Sequence, residues 1–156
     1  MKKSIFILVF MAALVSCVNE PHGNFDYAVF NRERQLWLGQ DIQNYIFYSS
    51  EGRGMSGGPL SGHLYVQDGV IAYIQFSRNP PVPAEEVVFP QFFFGNTISD
   101  VYAKIETVAS DASWCDTVEI RYDSEWHYPK YFRCDWASGG FLFVKIDEFS
   151  IGTERP

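Results

Sequence analysis

Hydrophobic positions at the start of the chain neither alternate nor repeat: Ile5 to Val15 is an unbroken apolar run behind Lys2 and Lys3. Spanning a bilayer takes roughly 20 apolar residues, whereas a run of about 7–15 behind a positive start suits the core of an export signal. The pattern turns helical from Asp26 to Leu38. Val29 with Leu36 and Phe30 with Trp37 each stand seven apart and share a face, and Gly39 offers a left-handed C-terminal cap. Asn44 to Ser50 alternates aromatic and polar residues and reads as a strand. Glu51 to Gly62, rich in Gly, Ser and Pro, reads as a loop.

The clearest local signal follows. His63–Gln67 and Val70–Phe76 are strand-like runs joined by Asp68-Gly69, a two-residue turn whose twist suits a hairpin. Asn79 to Gly95 holds four of the eight prolines together with Phe89, Phe92, Phe93 and Phe94, and reads as an extended crossover that covers apolar surface. Thr97 with Asp100 forms a variant capping box, opening a second helix with Ile98, Val101, Ile105 and Val108 as its buried stripe. Three strands end the pattern, at Thr117–Tyr122, Lys130–Trp136 and Phe141–Phe149. The expected architecture is α+β: two helix-plus-three-strand units forming one antiparallel sheet, with the helices packed on one face. The two halves share no convincing residue identity.

Composition sharpens this picture. The formal charge is −7, and removing residues 1–16 takes away two lysines and no acid, leaving −9. An acidic domain repels phosphate backbones, so nucleic acid is not an expected partner. About 140 residues remain, enough for one compact domain. Cys115 and Cys134 also remain, and pairing the flanking strands about the Asp123–Pro129 turn brings the two within disulfide reach. No metal and no cofactor is expected, since no His, Cys or acidic residues accompany them at ligand spacing.

The apolar run closes in Leu14-Val15-Ser16-Cys17, which resembles the bacterial lipobox. That resemblance implies cleavage after Ser16 and lipid attachment, palmitate included, on the Cys17 thiol. The chain then divides into a signal peptide (1–16), a lipidated tether (17–25), a single α+β domain (26–150) and a C-terminal tail (151–156). Val18 is not an aspartate, which favours the outer membrane or cell surface over the inner membrane, facing the periplasm or exterior.

Several residues recur in the order of a known family. They are Trp37, Ile42-Gln43-Asn44-Tyr45, the Asp68-Gly69 hairpin, Thr97-Ile98, Val118-Glu119-Ile120-Arg121-Tyr122-Asp123, Tyr128-Pro129 and Asp135. This is similar to a family of small bacterial exported domains, often lipoproteins, that carries no established activity, and it spans about residues 31–149. Many members have a close cysteine pair in the first-strand loop, where this chain has Ser49 to Gly62 and no cysteine. At fold level the helix-plus-meander doubling is similar to beta-lactamase inhibitor proteins. That likeness implies an alternative role as an inhibitor or protective module for an envelope enzyme.

Candidate chemistry is sparse. Gly54-Met55-Ser56-Gly57-Gly58-Pro59 resembles the nucleophile loop of trypsin-like serine proteases, and His22, Asp41 and Ser56 fall in that family's chain order. His22 and Ser56 lie only 34 positions apart, however, and two helical segments contradict an all-β protease. His63 and His127 stand singly, and the adjacent Glu85 and Glu86 lack the facing geometry of a carboxylate pair. Trp126-His127-Tyr128 at a turn tip reads in two ways: as rings presented to an envelope protein partner, or as rings folded back over the sheet edge. The expectation is a non-catalytic binding module that reaches the membrane through its N-terminal lipid.

Overall fold

The computed structural model describes residues 24–54, 59–76, 79–87, 92–111 and 115–152. Its elements are helix α1 (Tyr27–Gly39), strands β1 (Tyr45–Arg53), β2 (Leu60–Gln67), β3 (Val70–Phe76) and β4 (Val82–Pro83), a 3-10 turn at Ala84–Glu86, helix α2 (Ile98–Ala109), and strands β5 (Thr117–Tyr122), β6 (Pro129–Asp135) and β7 (Phe141–Ile151). The seven strands form one sheet in the order β4-β3-β2-β1-β7-β6-β5. Every strand pairing among the described residues is antiparallel, so the α+β class expected from the pattern is what the chain adopts.

Both helix-plus-three-strand units are present, but no simple symmetry relates them. The first strand of one unit, β1, pairs with the last strand of the other, β7. A two-fold through the sheet would instead set β1 beside β5. Translation would leave β1 and β5 parallel, yet three antiparallel steps separate them.

Local chemistry explains both helix starts. Asp26 accepts from the Ala28 and Val29 N–H groups at 3.0 Å each, removing two of the donors a helix leaves unsatisfied. The α2 capping box is complete: Thr97 Oγ1 accepts from the Asp100 N–H, and Asp100 accepts from the Thr97 N–H. Ile98, Val101, Ile105 and Val108 are all buried, as the stripe required. The Asp68-Gly69 turn has φ of 51° and 76° at its two residues, the positive values that match a hairpin's twist.

Five expectations change. Gly39 is the last residue of α1 rather than its left-handed cap; the helix stops at Gln40, and Asp41 takes the positive φ, 50°. Within α1 the core stripe is Phe30, Glu33 and Trp37, while Leu36 is exposed. The expected loop Glu51–Gly62 is strand at both its ends, Glu51–Arg53 and Leu60–Gly62, where Glu51 pairs with both Leu60 and Val144. The crossover at 79–95 contributes the short strand β4, and the last strand runs on to Ile151 instead of ending at Phe149.

The core lies between the helices and one sheet face. Tyr45 and Phe47 of β1, Leu64 and Val66 of β2, Phe132 and Cys134 of β6, and Leu142, Val144 and Ile146 of β7 point into it. Phe30 of α1 meets Tyr102 of α2 edge to face at 5.4 Å, and the Ile98 N–H donates to the Tyr45 hydroxyl at 3.0 Å. Strict alternation along β7 would next send Glu148 inward. A bulge prevents this: Glu148 takes φ 51°, the register with β1 shifts, and Phe149 faces the helices. Its ring meets Trp37, Tyr45 and Tyr128 at 5.8, 5.6 and 4.8 Å. Cys115 and Cys134 are bonded, with Cα atoms 5.3 Å apart.

Candidate functional site

The Asp123–Tyr128 turn is built to be rigid. Asp123 Oδ1 accepts from the Glu125 and Trp126 N–H groups at 3.0 and 2.9 Å, an Asx arrangement that replaces backbone pairing. The Asp123 N–H donates to the Tyr128 carbonyl and the His127 N–H to the Asp123 carbonyl. Three further contacts fasten the turn to both helices. Gln40 Nε2 donates to the Trp126 carbonyl at 2.9 Å, the Tyr102 hydroxyl donates to the His127 carbonyl, and His127 Nδ1 meets Glu33 Oε2 at 2.8 Å.

This settles how the three rings sit. Tyr128 is only 3% exposed, and Trp126 is half-buried with its ring 6.2 Å from Phe149. Tyr128 is folded back onto Phe149, which supplies an apolar partner that solvent cannot, while Trp126 and His127 stay partly exposed. His127 is half-buried, with φ of 59°.

Glu33 is the functional-looking residue that the helical pattern missed. Burial pushes its carboxyl up, but the bonds and charges of Arg32 and His127 outweigh this and hold it below the ordinary glutamate value. An ionised carboxylate only accepts, so the proton between it and His127 sits on Nδ1. This is the orienting half of a His–carboxylate base, but among the described residues no Ser, Thr or Cys side chain is hydrogen-bonded to the ring. Beside it, the Tyr122 hydroxyl is buried without a hydrogen-bond partner among the described residues. Burial, with Glu33 and Asp26 near, holds that phenol up.

Glu51 is a second buried acid, in a segment whose composition predicts a loop. Its carboxylate accepts from the Phe93 and Phe94 N–H groups, pinning the crossover against β1. Burial raises its carboxyl, and the two N–H donors and Lys104 offset this only in part.

The remaining candidates are dispersed. Asp41 follows α1 at the Tyr45 end of β1 and accepts from Gln43. Ser56, His22 and Cys17 lie outside the described residues. His63 bonds Glu148 at 3.1 Å and packs edge to face on Tyr48. Glu85 and Glu86 are exposed in the 3-10 turn. Among the described residues no three His, Cys, Asp or Glu side chains gather where a metal could sit.

The outer face of the sheet, turned away from both helices, carries the densest unassigned chemistry. Phe141 and Phe143 alternate with the buried Leu142 and Val144, so they point outward. Opposite them stand Gly52 of β1, paired with Phe143, and Gly54 just past the strand's end, whose N–H donates to the Phe141 carbonyl at 2.7 Å. A Cβ on Gly52 would stand 2.5 Å from the Phe143 ring, and one on Gly54 would stand 2.8 Å from the Phe141 ring. Both rings therefore lie down across the glycines instead of standing on the sheet. Sequence carried a signal for this, two glycines spaced two apart like the two phenylalanines, but it is readable only once the register is known.

No family model matches the chain, and no curated protein matches it.

Proposed function

We propose that the chain is a lipid-anchored, non-catalytic binding module of a bacterial cell envelope, attached through Cys17 and facing the periplasm or the exterior. The observation that carries this is Leu14-Val15-Ser16-Cys17 closing an apolar run behind Lys2 and Lys3. A buried disulfide supports export, since such bonds persist in oxidising compartments. Lipid burial at about 0.8 kcal/mol per CH₂ gives two or three chains a firm hold. Among the described residues no helix is long and apolar enough to cross a membrane.

The resemblance to small exported domains belongs to the same proposal, and its residues are fold-forming ones. Trp37 meets Tyr45 at 5.5 Å, Tyr45 bonds the first turn of α2, and Tyr128 is in the core. The test is fractionation. Wild type should incorporate labelled palmitate and stay in the membrane fraction after a salt wash, while Cys17→Ala should be released unlabelled. Retention of Cys17→Ala in washed membranes would overturn the anchor.

A further inference from the structure

We propose that the outer face of the sheet, tiled by Phe141 and Phe143, binds a neutral carbohydrate chain. The proposal rests on the reading of this chain as an envelope binding module and names the ligand class. The rings carry the argument. Their centroids are 6.1 Å apart and their planes only 29° apart, and each lies over a glycine. Both rings are half-buried; side by side they offer a facet that is apolar at Phe143 and carries the Arg133 guanidinium over Phe141, and the C–H face of a pyranose ring is a flat apolar partner for the Phe143 ring.

Charge decides which flat ligand fits. The domain is strongly acidic, yet the cations projecting around the two rings are each closed by a carboxylate two residues away. Arg133 is bidentate to Asp135, Nε donating to Oδ2 at 3.0 Å and Nη2 to Oδ1 at 2.7 Å, and its guanidinium lies over the Phe141 ring, 4.8 Å from the centroid. Lys145 pairs with Asp147 at 2.8 Å and Arg121 with Glu119 at 3.2 Å. A phosphate-bearing ligand finds no unpaired cation in these pairs, and a lipid surface would have to bury them dry. Hydroxyl groups can both donate to the carboxylates and accept from the guanidinium and ammonium groups. A sugar therefore uses the ion pairs without breaking them.

The test titrates chitohexaose and cellohexaose, uncharged oligomers of N-acetylglucosamine and glucose, into the full chain purified in detergent, followed by calorimetry at low and high salt. Saturable binding of at least one, little changed by salt, is the expected result. Phe143→Leu keeps apolar cover over Gly52 but removes the flat ring, and should weaken binding about tenfold, the loss of one ring-stacking contact of about 1.4 kcal/mol. Gly52→Ala is the second variant: it keeps every ring but lifts Phe143 off the sheet, and it should weaken binding likewise. A thermal melt checks that each variant is folded. No saturable heat with either oligosaccharide, binding abolished by salt, or binding indifferent to both variants would each overturn the proposal. None of these outcomes touches the anchor, which fractionation of Cys17→Ala tests separately.

Discussion

Replacing Glu33 by Gln isolates a charge from a shape. Two effects oppose each other at this position: burial disfavours the carboxylate, and the bonds from Arg32 and His127 favour it. Arg32 is mostly exposed, its side chain retaining 64% of its accessible area, so solvent screens its share heavily. The His127 bond, 2.8 Å long and half-buried, carries most of the effect. Glutamine can still accept from Nδ1–H, but as a neutral acceptor. Charge-assisted bonds run roughly twice as strong as neutral ones, and a net bond to a charged group is worth about 1.5–3 kcal/mol. The substitution should therefore cost about 1 kcal/mol at pH 7, a fall in Tm of about 3–5 °C for a domain of this size. Because the folded carboxyl is held below its unfolded value, its stabilisation is complete above the unfolded pKa and is lost as pH falls through the folded one. Melting curves of wild type and Glu33→Gln, followed by circular dichroism, should differ at pH 7 and converge as the pH drops below about 4. A gap that stays constant into strong acid would show that the carboxylate's charge contributes nothing. A more stable Glu33→Gln at pH 7 would show that burial outweighs the bonds.

Reducing the Cys115–Cys134 bond, which spans 19 residues, should destabilise the fold by about 3 kcal/mol in the chain-entropy model, read as a shift of the urea midpoint with and without reductant. Glu148 holds φ at 51°, a conformation that costs an L-residue about 1 kcal/mol or more. Glu148→Gly should therefore raise the thermal midpoint or leave it unchanged, since the His63 bond it loses is exposed; a fall of several degrees would count against the bulge reading. Burial pushes the phenols of Tyr45 and Tyr128 up to about 12. Stability should be full below the ordinary tyrosine value, near 10, and decline as pH rises toward 12, and Tyr45→Phe should flatten part of that decline in an alkaline unfolding titration.

Sequence by itself determined those features whose cause lies within a few residues. The Asp68-Gly69 hairpin, the Thr97–Asp100 capping box and the α2 stripe need only neighbours three or four positions away, and all three stand as the pattern required. The disulfide was legible because one hairpin turn fixes where its two strands meet. Tertiary structure alone decided the rest. Glu33 is buried because His127, 94 residues on, supplies its partner, and Glu51 because Phe94, 43 residues on, donates to it. Tyr128 folds inward because the bulge at Glu148 turns Phe149 toward it. Phe141 and Phe143 lie flat because the register sets glycines opposite them. Propensity and periodicity act along the chain, whereas the burial of an acid or the tilt of a ring depends on what another strand places against it.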